Sequence, residues 1–368
     1  MKTGLWISII SAALLMGRCR TAEQPAPVVV VAPPTSATVI QPPVSATVVT
    51  PPASVTANPA SPVSCAWSNS VQTMVPSELA RPQMVSVVEV NGLKADQWQT
   101  YLSNPTLLDT INRIGVSQWL FRKNINYTYD TQKRVAFIGS VSEYNKPYGY
   151  SYKYVPDKIY VGGVDYFGRP ITDTIPTNSF GFALERSVLV ESYSKRASFR
   201  YKYDDEGNLI NEDNQTITGC TGMYMQIAVD HTISAGNRSS SVMRSVWGWG
   251  AKPTHPHTIT YSYNLNQINA GLPYLDYNLL GCSGIVYEFG YYNAADYGKP
   301  SRNLLKQVIV LDQGSQYGIR RQYVYDYFYV FDTKGRVTEQ LISQRAMSSA
   351  DSSVYEFNLR KHSYTYND

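Results

Sequence analysis

A short phrase built on tyrosine recurs along the chain and limits what it can fold into. In most copies an apolar or aromatic residue is followed, at every second position, by two tyrosines, with mostly polar residues between. Side chains of a β-strand alternate between the two faces of a sheet, so the rings of one copy share a face. The phrase therefore predicts strands. Its six copies span 125–129, 150–154, 199–203, 259–263, 323–327 and 362–366.

Several copies run directly into a turn signal. Residues 130–135, 204–209 and 332–337 each open on Asp, and the second and third carry a Gly at the fourth position. Asp caps tight turns and Gly accepts positive φ, so each copy predicts a β-hairpin. We expect the hairpins to build a mainly β fold: one large, strongly curved antiparallel sheet or partly closed barrel, whose curling hides its edges.

A helical pattern comes before the strands. Leu107, Leu108, Ile111 and Ile114 form one apolar stripe at helical spacing, ended by Gly115. We expect Asn104 to be the N-cap of this helix and Pro105 its first residue, with another helical turn upstream around Trp98 and Leu102. The prediction is a short N-terminal helical region, at about 95–115, that covers one face or opening of the sheet.

The N-terminus predicts export. Lys2 precedes an apolar run that ends at residue 16, which is the pattern of a secretory signal and too short for a membrane span. We therefore assign residues 1–18 to a signal peptide and Cys19 to lipidation, although Arg18 departs from the usual small residue before the cysteine. The protein is then an outer-membrane or cell-surface lipoprotein, anchored by its lipid. Cleavage by the ordinary signal peptidase is the alternative and gives a periplasmic protein.

A tether follows the anchor at residues 19–77, ahead of a β-rich domain at 78–368. The tether is rich in Pro, Thr and Val, and no residue from Gln24 to Ser77 is charged. Repeated Pro-Pro pairs remove backbone donors and favour extended polyproline II without a packed core. We expect a disordered spacer.

Three cysteines remain after Cys19. Cys220 and Cys282 each lie in a Gly-Cys-hydroxyl-Gly context, whereas Cys65 does not. A Cys220–Cys282 disulfide suits an exported chain, and buried thiols are the alternative. No Cys-x-x-Cys pair or adjacent His gives metal-ligand spacing.

Charge and composition exclude some classes of binding partner. The net charge is +4 among 368 residues, without a basic cluster, so we expect no nucleic acid partner. We expect no cofactor and no metal: His255-Pro256-His257 has no adjacent carboxylate, and a loop is the simpler interpretation. The acidic group Asp204, Asp205, Glu206, Glu212 and Asp213 could supply an acid–base pair for glycoside cleavage, or calcium ligands, but turn solvation explains it as well.

Aromatic residues give the predicted binding site. Trp247 and Trp249 lie in a glycine-containing polar segment beside Arg244. Exposed Trp rings stack on sugar rings or on apolar side chains without needing a buried charge. A Trp that caps the sheet core is the alternative interpretation.

Two resemblances bear on the fold. The tyrosine hairpins resemble the tyrosine–aspartate repeats of large bacterial shell-forming proteins. The motifs at 272–280 and 297–305 (Tyr-Gly-Lys-Pro-Ser-Arg-Asn-Leu-Leu in the second) resemble an uncharacterised family of exported lipoproteins from gut-type Gram-negative bacteria. That family is a domain of unknown function with a porin-like β fold. The resemblance implies a strongly curved sheet, and it implies no activity and no catalytic residues.

The sequence therefore favours a non-enzymatic binding or structural module of the cell envelope, with a glycan or an envelope protein as its ligand. A surface glycan-processing hydrolase is the alternative, with a carboxylate pair that the sequence does not identify.

Overall fold

The computed structural model describes residues 81–111, 119–141, 146–165, 168–190, 195–217, 224–248, 252–253, 257–269, 298–312, 321–348 and 353–367. All of them belong to one compact unit, Ala60–Asp368. The signal, the tether and all four cysteines lie outside the described residues, so the assignments made for them remain predictions.

Two helices and seventeen strands make up the described part. The helices are α1 (Ala95–Ser103) and α2 (Leu107–Thr110). The first strands are β1 (Met84–Leu93), β2 (Trp119–Tyr129), β3 (Val135–Val141), β4 (Pro147–Val155), β5 (Lys158–Val164), β6 (Pro170–Pro176), β7 (Glu185–Val190), β8 (Lys195–Tyr203) and β9 (Leu209–Ile217). The others are β10 (Tyr224–Ser234), β11 (Asn237–Gly248), β12 (Lys252–Pro253), β13 (His257–Ile268), β14 (Asn303–Asp312), β15 (Arg321–Phe331), β16 (Val337–Ser348) and β17 (Val354–Thr365).

The strands form one antiparallel sheet that nearly closes on itself. Apart from the two-residue β12, each strand pairs with its neighbours in the chain, and β1 completes the ring by pairing with both β17 and β2. Between β6 and β7 only the isolated bridge Thr177–Ala183 is present. This sixteen-stranded, barrel-shaped sheet with a short N-terminal helical region confirms the predicted fold class.

The two faces of the sheet have different surroundings. The tyrosine face carries one large buried cluster with members on strands from β1 to β17, among them Tyr150, Tyr327 and Tyr329 at 1–2% exposure. On β1, Val85 and Val87 join this cluster, whereas Val88 and Val90 point the other way, against α1 and α2. Because the described helices lie on the opposite face, the part of the chain that the structure describes buries these tyrosines with the sheet itself. The tyrosine face is therefore the inner face.

Hairpin turns repeat one hydrogen-bonding scheme. Asp130 accepts hydrogen bonds from the backbone N–H groups of Gln132 and Arg134, and Arg134 Nε donates to its second carboxylate oxygen. Asp332 repeats all three bonds with Lys334 and Arg336. Burial alone raises the pKa of each carboxyl, but these hydrogen bonds outweigh it and lower both pKa values. The predicted Asp-capped hairpins are thus present.

Most copies of the tyrosine phrase end in a second repeated contact. The last tyrosine of five of the six copies donates its hydroxyl proton to a backbone carbonyl of another segment. These bonds are Tyr129 to Pro82, Tyr154 to Val135, Tyr203 to Ala183, Tyr263 to Arg238 and Tyr366 to Val337, at 2.7–3.0 Å. The tyrosines therefore fasten strand ends together as well as filling the interior.

The helical region differs in detail from its prediction. Asn104 is the C-cap of α1, and Thr106 is the N-cap of the short α2. Leu108 is fully buried, whereas Leu107 is 37% exposed, so the predicted stripe is narrower than expected. Neither described helix has the length and apolar character of a bilayer-crossing segment.

Candidate functional site

An open groove lies on the outer face of β4, β5 and β6. Its volume is about 620 Å³. Strand register places six outward-facing residues in two adjacent rows: Ser151, Gly162 and Thr172 in one, and Lys153, Tyr160 and Thr174 in the other. We call these six residues the β4–β6 groove. Tyr152, Val161 and Asp173 also line it, but Tyr152 and Val161 belong to the inner cluster.

Glycine makes the floor of the groove. A Cβ at Gly162 would meet only the Ile171 carbonyl oxygen, at 4.0 Å, so the space above this residue is open. Tyr160 stands beside it with 42% of its surface exposed. The missing side chain therefore leaves the Tyr160 ring accessible from the side as well as from above.

The polar groups of the groove are available to a ligand. The exposed Lys153 ammonium makes no ion pair with any described residue, and Asp173 instead lies 3.4 Å from the Arg186 guanidinium, in the interior. The six outward-facing residues include one cation and no carboxylate. The groove thus offers hydroxyl groups, one ammonium and one aromatic ring.

A second aromatic ring lies beside the groove. Phe137, on the outer face of β3, pairs with Ser151 and so shares the row of Gly162. Its ring covers Gly139 and Gly149, because a Cβ at either glycine would collide with it. Phe137 is 36% exposed. It is a fixed, partly exposed apolar platform at the edge of the groove.

The predicted tryptophan site is only partly described. Arg244 lies on β11, exposed, and forms an ion pair with Asp230 of β10. Trp247 is also a β11 residue, but its side chain is not among those described, and Trp249 lies outside the described residues. Binding by this group therefore remains a prediction.

The acidic residues at 204–213 do not form a single site, because Asp204 and Glu212 have different surroundings. Asp204 caps the β8–β9 turn, where it accepts hydrogen bonds from Glu206 and Asn208. Glu212 is turned into the sheet interior, where it bonds His231. Within the described residues no group of three or more His, Cys, Asp or Glu side chains is arranged to hold a metal ion. His257 is described, on β13, and His255 is not.

A buried network of polar side chains crosses four strands on the inner face, and no local sequence pattern predicts it. Glu212 Oε1 lies 2.9 Å from His231 Nε2, His231 Nδ1 lies 2.7 Å from Ser241 Oγ, and Ser241 Oγ lies 3.1 Å from the Tyr261 hydroxyl. Burial and the charge of Arg238 lower the pKa of His231. Burial alone raises the pKa of Glu212, but the hydrogen bond from His231 and the Arg238 charge lower it overall.

This network has the connectivity of a hydrolytic serine site, with a neutral imidazole that accepts from the serine and donates to the carboxylate. A nucleophile must also reach its substrate. Ser241 has 0% exposure, and its oxygen also contacts the Tyr261 hydroxyl. We therefore interpret this network of polar side chains as a structural one, which links β9, β10, β11 and β13 through buried hydrogen bonds.

The second motif behind the family resemblance has a structural role where it is described. Lys299 N–H donates to the Gly207 carbonyl and Arg302 N–H to the Gly236 carbonyl, so residues 298–302 bridge two hairpin turns. Asn303 then exchanges two hydrogen bonds with Asn237, at 2.8 and 2.9 Å. The first motif, at 272–280, lies outside the described residues.

Comparisons with known proteins add little to this geometry. No protein-family model matches the chain, and no curated protein matches it. Among solved structures it is similar to a porin-like protein from Bacteroides uniformis, with a TM-score of 0.49 and 14% identity, over 80% of this chain and 99% of that one. No activity, ligand or partner passes to this chain from a likeness of that degree.

Proposed function

We propose that this protein is a lipid-anchored module of the cell envelope that binds a glycan or a partner protein on the outer face of its sheet, without enzymatic activity. One observation carries the proposal: the inner face holds one large buried cluster rich in aromatic rings, whereas outward hydroxyl groups, the exposed Lys153 and the exposed Tyr160 ring meet in the β4–β6 groove. A binding surface needs accessible groups of this kind and no reactive hollow.

The polarity of β2 also favours this function over a membrane channel. On β2, Arg122, Asn124, Asn126 and Thr128 face outward and are exposed, and Tyr127 faces inward and is buried. A sheet that faces lipid has the opposite pattern, with apolar residues outward and polar residues inward.

A glycan-processing hydrolase is the alternative proposal. The carboxylates that could best serve it are Asp204 and Glu212. Asp204 caps the β8–β9 turn, and Glu212 lies next to His231 in the buried polar network. An acid and a base that face each other across a cleft would be needed instead. The binding module therefore accounts better for the described residues.

The proposal can be tested by expressing the full-length chain in a Gram-negative host. We expect palmitate labelling of the wild type and none of Cys19→Ala. We also expect purified protein to be retained by cell-envelope material, either polysaccharide or protein, without releasing new reducing ends. Release of sugar would favour the hydrolase, equal labelling of Cys19→Ala would exclude the anchor, and no retention would exclude a binding role.

A further inference from the structure

The β4–β6 groove has the chemistry of a sugar-binding surface, and this inference rests on the proposed function. Tyr160 offers an exposed ring face, and Ser151, Thr172 and Thr174 offer hydroxyl groups that both donate and accept. Pyranose rings present flat C–H faces to aromatic rings and hydroxyl groups at their edges. The groove matches both features with residues from three strands.

The paired strands under the groove argue against a peptide ligand. β4 and β5 are hydrogen-bonded on both sides, and β6 is paired with β5 on the side of the groove. An extended peptide could add as a strand only at the far edge of β6, outside the groove. Of the outward-facing lining residues, none is an aliphatic residue that could form a pocket for a peptide anchor. A ligand must therefore be recognised through ring stacking and hydroxyl groups.

The second ring determines the length of the ligand. With strands about 4.8 Å apart and same-face residues about 6.8 Å apart along a strand, the Cα atoms of Phe137 and Tyr160 lie about 12 Å apart across β3–β5. The Phe137 ring leans over Gly139 and Gly149, away from Tyr160, so the two rings are no closer than that. Gly162 and Ser151 lie between them without a bulky side chain. A single sugar cannot contact both rings, whereas a short stretch of a longer chain can.

We propose that the outer face of β3–β6 binds a neutral polysaccharide segment that stacks on Tyr160 and Phe137 and passes over Gly162. Ser151, Thr172, Thr174 and Lys153 then form hydrogen bonds to its hydroxyl groups. The outward-facing lining residues include no carboxylate, and the Asp173 carboxylate lies beside Arg186 on the inner face. Lys153 is the one cation among the six, so the groove suits a neutral chain better than a cationic or a highly anionic one.

Affinity electrophoresis tests the site directly. Full-length protein is run in native gels cast with arabinoxylan, mixed-linkage β-glucan or galactomannan. We expect at least one polysaccharide to retard the wild type, and Tyr160→Ala to raise the apparent dissociation constant about tenfold or more, since truncating a central aromatic contact removes most of the local binding energy. Tyr160→Phe should keep most of the retardation, because the ring remains.

Gly162→Val separates blocked binding from damaged folding. Valine suits a strand, and the space above Gly162 is open, so this variant should fold with unchanged thermal stability and lose retardation. Phe121→Ala is the control, since the Phe121 ring is 49% exposed and lies on the inner face of β2, opposite the face that carries the groove. It should bind like the wild type.

The outcomes distinguish the site from the function. If a polysaccharide retards Tyr160→Ala and Gly162→Val as much as it retards the wild type, the groove is not the binding site, although the proposed binding function stands. If no polysaccharide retards the wild type while envelope protein retains it, the ligand class is wrong. Retention by neither overturns both proposals.

Discussion

At the scale of single residues, the interior combines hydroxyl groups and imidazoles with apolar side chains. His362 is buried on β17, with Nδ1 3.3 Å from the Tyr364 hydroxyl, which in turn donates to Gln340 at 3.2 Å. Burial, together with the Arg360 charge, lowers the pKa of His362 to about 3. The folded protein therefore holds this imidazole neutral where an unfolded chain would protonate it.

His362 should make stability sensitive to acid. In the unfolded chain His362 has the ordinary histidine pKa of about 6.5, whereas in the folded protein its pKa is about 3. Between these two pH values the unfolded state binds one more proton than the folded state. The free energy of unfolding therefore falls as the pH drops from about 6.5 to about 3. Between pH 7 and pH 5 we expect a loss on the order of 2 kcal/mol from this group. Urea unfolding of His362→Gln should show a correspondingly smaller loss.

The comparison is made within each protein, because the substitution also changes packing at every pH. His231 has a lowered pKa too and contributes acid sensitivity in both proteins. An equal pH dependence for the wild type and His362→Gln would show that the pKa of His362 is the same in the folded and the unfolded state.

At the scale of elements, α2 is attached to the sheet by three kinds of contact. Leu108 packs in the outer apolar cluster, Lys361 Nζ lies 2.7 Å from Asp109, and Arg122 donates to the Leu108 and Ile111 carbonyls. Lys361 is 1% exposed and also pairs with Glu339 at 3.0 Å. A helix of only four residues is held by these contacts and not by its own propensity.

Two adjacent leucines test this attachment. Leu108→Ala removes a fully buried side chain and should lower the free energy of unfolding by about 2–5 kcal/mol. Leu107→Ala removes a side chain that is 37% exposed and should change it by about 0.5 kcal/mol or less. Urea denaturation measures both, and equal effects would mean that α2 does not pack as described.

The elements were predictable where their signals are local. The Asp-capped hairpins follow from residues adjacent in the chain, such as Asp332 and Gly335. The choice of Asn104 as an N-cap was wrong because Asn104 instead ends α1, and its N–H group donates to Thr100. Asn occurs both at N-caps and at the C-terminal ends of helices, so this residue alone does not show which end it marks.

At the scale of the whole molecule, the ring of strands has one weak seam. β6 and β7 share the bridge Thr177–Ala183 and the hydrogen bond from Leu184 N–H to the Pro176 carbonyl. The Asp173–Arg186 ion pair also spans it. By contrast, β15 and β16 are paired from Arg321 to Phe331.

The seam should be where the native sheet opens first. Amides on the seam side of β6 and β7 should exchange with deuterium faster than those of β16 and β17, because fewer backbone hydrogen bonds protect them. Native-state hydrogen exchange with mass spectrometry measures this. Asp173→Ala should accelerate exchange at the seam and leave β16 and β17 unchanged, and uniform protection around the ring would contradict the assignment.

Neither the closure of the ring nor the β4–β6 groove could be predicted from the sequence, and the reason is the same for both. β1 pairs with β17 although more than two hundred residues separate them, and no local pattern specifies that partner. Ser151, Tyr160 and Thr172 are ordinary outward residues of three strands, and only register brings them together. Trp247 and Trp249, by contrast, are close together in the chain, so the sequence alone predicts a site there.

The pairing of β1 with β17 has a consequence for biogenesis. Every other long ladder joins segments that leave the ribosome one after another, but the final ladder needs residues near both extremes of the chain. Until β17 has emerged, β1 keeps one row of backbone groups unsatisfied, and such a row invites wrong partners. The ring can therefore be completed only after β17, the last strand of the sheet, is available to β1.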